Sequence, residues 1–223
     1  MDTTSLELEM ARHSYGYGRW DAPFWFIGPE QGKRTADNTR RAEAWSKLNK
    51  DGLCDSYRFH DAIGELDWHK EKPRLQRTWR PLILLLKTFF REESNKECLR
   101  IYQRMKWGRS DGETCVIELS GLSASSFKEQ LDRKQFRTER VRLISEKVRL
   151  NQPKFVVMYG VSETVHWEEI VGYPLVPDNV TKLGSTMIAF APHPNTRGRM
   201  DADWKRLGDK LDQIDSGAIR LTC

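Results

Sequence analysis

Two short stretches combine residue types that can do chemistry. In "MIAFAPHPNTRGR", Met187 to Arg199, an apolar run ends in His193, held between Pro192 and Pro194, with Asn195, Arg197 and Arg199 just beyond. The prolines stiffen the backbone around the histidine, which suits a side chain that must be placed accurately. An imidazole there can act as a neutral N–H donor or as a cation, and the arginines suit phosphate contact. The plain alternative is a histidine that caps the next helix. In "IGPEQGKR", Ile27 to Arg34, Gly28 and Gly32 bracket Pro29, Glu30 and Gln31, and Lys33 and Arg34 follow. Glycines let backbone N–H groups approach a ligand closely. The stretch is neither GxGxxG nor a Walker loop, and its plain reading is a tight turn after a strand. Glu30 adds a carboxylate that can orient water or face positive charge.

Four apolar runs must position these loops. They are "APFWFIG" (Ala22 to Gly28), "TCVIELS" (Thr114 to Ser120), "KFVVMYG" (Lys154 to Gly160) and "STMIAFA" (Ser185 to Ala191). Each is near-continuous rather than alternating, as strands buried on both faces are. Helical patterns lie between and after them. One spans Asn38 to Leu48, and a very apolar one runs from Trp79 to Arg91 with Pro81 in its first turn. "RTERVRLISEKVRLN" places Val141, Ile144 and Val148 on one face, and Pro153 follows. "VSETVHWEEIVG" offers Ser162 as a cap and Gly172 as a stop. "DADWKRLGDKLDQI" stacks Trp204, Leu207 and Leu211 on one stripe. Strands alternating with helices predict an α/β fold, a three-layer αβα sandwich around a four-stranded, mainly parallel sheet. Ligands bind such sheets beyond the carboxyl ends of the strands. That points to the loops after Gly28, Ser120, Gly160 and Pro192. A single domain is expected over residues 1–223, with the polar segment 49–77 as an irregular insertion.

The chain has 223 residues, with 38% hydrophobic and 31% charged side chains, which fits a globular protein. No apolar run reaches the length of a membrane span. The first residues lack a basic-then-apolar pattern, so a cytoplasmic location is expected. Cys54, Cys98, Cys115 and Cys223 are scattered without a CxxC pair, which predicts reduced thiols and no zinc or iron–sulfur site. A formal net charge of +5 is compatible with a polyanionic partner.

The two loops together resemble the motifs of the uracil-DNA glycosylase superfamily. In that family a Gly-rich first motif with an acidic or amide residue follows strand one, and a His-Pro motif follows the last strand. "GPEQG" and "HPNTRG" stand in those places, and "FVVMYGVSETV" resembles the family's strand-Gly-helix segment. The likeness runs from about Pro23 to Met200 and is weakest in the middle. The first motif departs from both familiar versions. Anchored on Gly28, Glu30 takes the acidic place of one version, while Pro29 takes it in the other. The asparagine that reads uracil has only Ser120 and Ser123 nearby. Trp45 is the best-spaced aromatic to stack on the base, though a helix core would claim it equally well.

The resemblance implies a monofunctional DNA repair hydrolase that flips a uracil, or a related deaminated base, out of DNA and hydrolyses its N-glycosidic bond. It implies no cofactor or metal, no membrane partner and a monomer. His193 would donate to the departing base, and Glu30 would orient water and face the oxocarbenium-like sugar. Gly28, Pro29, Gln31, Gly32, Ser120, Asn195 and Trp45 would line the base site. Arg197, Arg199, Lys33 and Arg34 would hold phosphates. Two alternatives stand beside it: a nucleotide or nucleoside hydrolase on a similar fold, and a non-catalytic nucleic-acid-binding relative. The basic and aromatic "RTWRPL" is a further candidate for touching DNA, with helix packing explaining Trp79 equally well.

Overall fold

All four apolar runs form strands, and every residue of those strands is buried. In the computed structural model, which describes residues 5–29, 38–122 and 135–219, they are β2 (Phe24–Gly28), β4 (Thr114–Glu118), β5 (Phe155–Tyr159) and β7 (Thr186–Ala191). The fold is α/β. The sheet has seven strands rather than four, in the order β3-β1-β4-β2-β5-β7-β6. Two-residue strands β1 (Gly16–Tyr17) and β3 (Leu53–Cys54) extend one edge, and β6 (Val180–Leu183) closes the other. β4, β2, β5 and β7 run parallel to one another, while β1 on β4 and β6 on β7 are antiparallel.

Eight α-helices occur among the described residues: α1 (Ser5–His13), α2 (Asn38–Leu48), α3 (Ser56–Ala62), α4 (Trp79–Phe89), α5 (Lys96–Met105), α6 (Arg137–Asn151), α7 (Thr164–Val171) and α8 (Asp201–Asp215). None is long and apolar enough to cross a membrane. The side-chain period of two divides the strands between two cores. Phe26, Val116, Val157 and Ala189 meet α2, α4, α5 and α8 on one face. Trp25, Ile117, Met158 and Ile188 meet α6 and α7 on the other. The chain steps from β2 to β4, then crosses back past β2 to β5. Right-handed crossovers in opposite directions put their helices on opposite faces, as seen. Gly208 lets α8 lie tight on α4, since a Cβ there would meet the Leu85 carbonyl at 2.5 Å.

Helix ends follow local chemistry. Asn95 caps α5 by accepting from the Glu97 and Cys98 N–H groups, both at 2.9 Å. Ser162 does not cap α7. It sits within the 3-10 turn Val161–Glu163 that precedes the helix, and Gly172 ends the helix in a left-handed conformation.

Segment 49–77 holds more order than its composition predicts. β3 pairs with β1, and α3 begins at Asp55, whose carboxylate accepts from the Tyr57 and Arg58 N–H groups. Burial alone would raise the Asp55 pKa, but backbone donors from Ser110 and Arg58 and the nearby Arg109 hold it below the usual carboxylate value. His60 Nδ1 donates to the Ser56 carbonyl at 2.6 Å and lies 3.0 Å from His69 Nε2, in a cage with Tyr17 and Trp79. Both histidines are buried, and burial, then Arg109, push His69 down to about 4.

One cation ties α1 to the sheet. Arg140 is 1% exposed and lies over the Tyr15 ring. Its Nη2 donates to the Ser14 and Glu118 carbonyls at 2.7 Å each, its Nη1 to those of Ala11 and Arg12, and its Nε to that of Leu119. Replacing Arg140 by methionine strands several of these buried carbonyls. The expected loss is at least about 3 kcal/mol of unfolding free energy. Denaturant unfolding checks it, and a loss under about 1 kcal/mol would show that the clamp is dispensable.

Candidate functional site

Sheets of this topology bind ligands where the strand order reverses, outside the carboxyl ends. Here the reversal lies between β2 and β5, at Gly28–Pro29 and Tyr159–Gly160. Residues 28, 118 and 159 continue the parity of Phe26, Val116 and Val157, so Gly28, Glu118 and Tyr159 share one face of the sheet. Gly28 is the register partner of Glu118, and Tyr159 that of Ala191, two residues before His193.

Tyr159 fills the centre. A side chain at position 28 would overlap its ring and hydroxyl, so the bare backbone of Gly28 is what seats the phenol. The Tyr159 ring lies edge-on to the His193 ring, with centroids 5.5 Å apart. Burial, then the neighbouring Glu118 carboxylate, raise the phenol pKa well above its ordinary value, so Tyr159 stays a neutral hydroxyl. His193 therefore faces Tyr159.

His193 is half-buried, and burial lowers its pKa below 6.5. Its Nδ1 lies 3.1 Å from the Asn195 backbone N–H and accepts from it. A ring nitrogen that accepts carries no proton, so the neutral ring must carry its hydrogen on Nε2. The turn is closed by the Thr196 N–H on the His193 carbonyl at 2.8 Å. The Asn195 side-chain amide donates to the Thr78 hydroxyl at 3.2 Å, which pins the loop to the start of α4.

A buried polar chain runs beside this centre. Arg137 Nη2 donates to the Ser120 hydroxyl at 3.1 Å, and its Nη1 to the Glu163 carboxylate at 3.3 Å. His166 Nε2 is 3.8 Å from the same carboxylate. The carbonyls of Gly28 and Pro29 accept from the Leu119 and Ser120 N–H groups, at 2.8 and 3.1 Å.

The structure sorts the residues expected from the sequence. It brings Gly28, Pro29, Ser120 and His193 to one end of the sheet. Glu30, Gln31, Gly32, Lys33 and Arg34 lie outside the described residues. Trp45 is 7% exposed within the core under α2, which corrects its expected role as a stacking platform. Asn195 is exposed and holds the loop to Thr78 through one amide N–H. Arg199 is also corrected. Its guanidinium forms two bonds to Asp178, at 2.7 and 2.5 Å, and lies over Trp204, so a phosphate would have to displace a carboxylate. Arg197 is exposed and has no ion pair among the described residues. Sequence reasoning missed Glu118, Tyr159, Arg137 and Glu163. Tyr159 and Glu118 end apolar runs, and a polar group at a buried strand end is the pattern that could have flagged them. No group of three His, Cys, Asp or Glu among the described residues is placed to hold a metal ion.

In comparison with known proteins, no family model matches the chain, and no curated protein matches it.

The fit of Tyr159 on Gly28 is testable by a double-mutant cycle. Gly28→Ala in the natural background should cost about 1–3 kcal/mol through overpacking. In a Tyr159→Ala background the same change should be close to neutral. Equal effects in both backgrounds, read from denaturant unfolding, would contradict the contact.

Proposed function

We propose that this protein hydrolyses the N-glycosidic bond of uracil or a related deaminated base in DNA. The observation that carries the reading is the state of His193: a neutral imidazole with Nδ1 occupied by a backbone donor and Nε2–H left to give, at the carboxyl end of a parallel sheet. The His-Pro motif and the strand-Gly-helix segment lend it support by resemblance. When the bond between C1′ and the base breaks, its electron pair leaves with the base as an anion, and the sugar becomes cationic. A preorganised N–H aimed at the base oxygen stabilises that anion more than it stabilises the bound base. A neutral donor suits the task, since it costs less to desolvate than a cation does. Water then adds to C1′ and loses its proton to a carboxylate. Glu30 is one candidate, and Glu118, buried beside Tyr159, is a second. Tyr159 forms a wall of the base site, with its hydroxyl as a further neutral donor.

The pairing of Arg199 with Asp178 favours a second reading, in which the substrate is a free nucleoside or nucleotide. Both readings are separated by one assay of base release. Uracil, hypoxanthine, xanthine and ordinary bases are presented in single- and double-stranded DNA and as free nucleosides. Release from uracil-containing DNA is the expected outcome. His193→Ala should lower that rate by about 10²–10³, with unfolding and DNA affinity unchanged. Turnover confined to free nucleosides would select the second reading. Release at the natural rate by a folded His193→Ala protein would remove His193 from the mechanism.

A further inference from the structure

One groove on the described surface is strongly one-sided in charge. It has a volume of about 500 Å³ and is lined by Arg74, Arg80, Lys96, Arg100 and Lys205, against a single carboxylate, Asp201. Its floor is apolar, formed in part by the buried Leu84 and Leu99. Arg80 is held by both Asp201 oxygens, and Arg100 lies 3.4 Å from Glu97. Arg74, Lys96 and Lys205 are exposed and form no ion pair among the described residues. Two other grooves lack this bias. That beside Trp20 mixes its basic side chains with Asp21, Asp51 and Asp55. That on the outer side of α8 holds Asp178, Asp203 and Asp209.

The groove also adjoins the His193 loop. Asn195 bonds to Thr78, two residues before Arg80, and Asp201 opens the helix that follows the loop. We infer that this groove between α4, α5 and the start of α8 is the track for the DNA strand that flanks the target base. The inference rests on the proposed nucleic-acid substrate and names a set of cations other than Lys33, Arg34, Arg197 and Arg199. Charge complementarity selects the occupant. Phosphates on a strand match several separate cations, and lysines and arginines on flexible stems take up phosphate contacts without reading sequence. Asp201 and Glu97 offset Arg80 and Arg100, and Arg74, Lys96 and Lys205 remain as the excess.

The test is the salt dependence of binding to a uracil-containing single-stranded oligonucleotide, followed by fluorescence anisotropy. Each phosphate contact contributes about 0.7 to the slope of log affinity against log salt on a single strand. The variant Arg74→Ala/Lys96→Ala/Lys205→Ala should therefore lose about 2 from that slope and bind at least ~10-fold more weakly at moderate salt. Lys47→Ala/Lys50→Ala/Arg58→Ala removes the same charge from the groove beside Trp20 and should leave the slope unchanged. Thermal unfolding of both variants verifies folding. An unchanged slope in the first variant, or an equal loss in both, overturns the groove while leaving the proposed substrate standing. Failure of the natural protein to bind the oligonucleotide overturns the groove and the nucleic-acid reading together.

Discussion

Tyr159 can cross the carboxyl end of the sheet only because position 28 carries no side chain. That one contact joins three strand ends. The phenol ring rests on the backbone of β2, belongs to β5 and meets the histidine that follows β7. It also sets the electrostatics, because a fully buried ring with Glu118 close by keeps its proton. The low His193 pKa follows from the same burial. Remove the bare backbone at Gly28, and the ring, the histidine and the loop pinned at Thr78 must all shift together.

The rest of the fold serves to hold those ends still. The parallel strands are buried on both faces, so their only routes to chemistry are the residues just past their carboxyl ends. Arg140 fixes the end of β4 from below, through the Glu118 and Leu119 carbonyls, and does so by carrying a charge into the interior. A buried cation with this many carbonyl acceptors is well satisfied, but it tolerates no shorter replacement. Arg137 performs a related task on the next turn of the same helix, linking Ser120 to Glu163. The chain thus supports its candidate site with buried arginines from α6.

Much of this architecture was legible in the sequence, for physical reasons. Continuous apolar runs such as "KFVVMYG" have no amphipathic alternative in water, so they had to be central strands. The stripe of Val141, Ile144 and Val148 had to face a sheet. The edge strands were hidden because β1 and β3 have two residues each and no period to read. β6 carries Lys182 on a half-exposed edge, which resembles loop composition. α5 buries only Leu99, Tyr102 and Gln103, too few apolar positions to stand out among its charges. At the site, His193 was visible through its flanking prolines. Glu118 and Tyr159 were not, because each closes a string that reads as core. Arg199 looked like a free phosphate ligand because its partner, Asp178, is brought to it only by the turn before β6. Trp45 has aromatic spacing that a helix core explains as well as a binding site does.

The claim on which the account turns is that His193 is presented as a neutral donor through Nε2. Nitrogen-15 NMR of the imidazole ring measures this directly. At pH 7 the account predicts one protonated nitrogen, Nε2, with Nδ1 unprotonated and accepting from Asn195, and a titration midpoint below 6.5. A ring protonated on Nδ1 at pH 7, alone or together with Nε2, would contradict it.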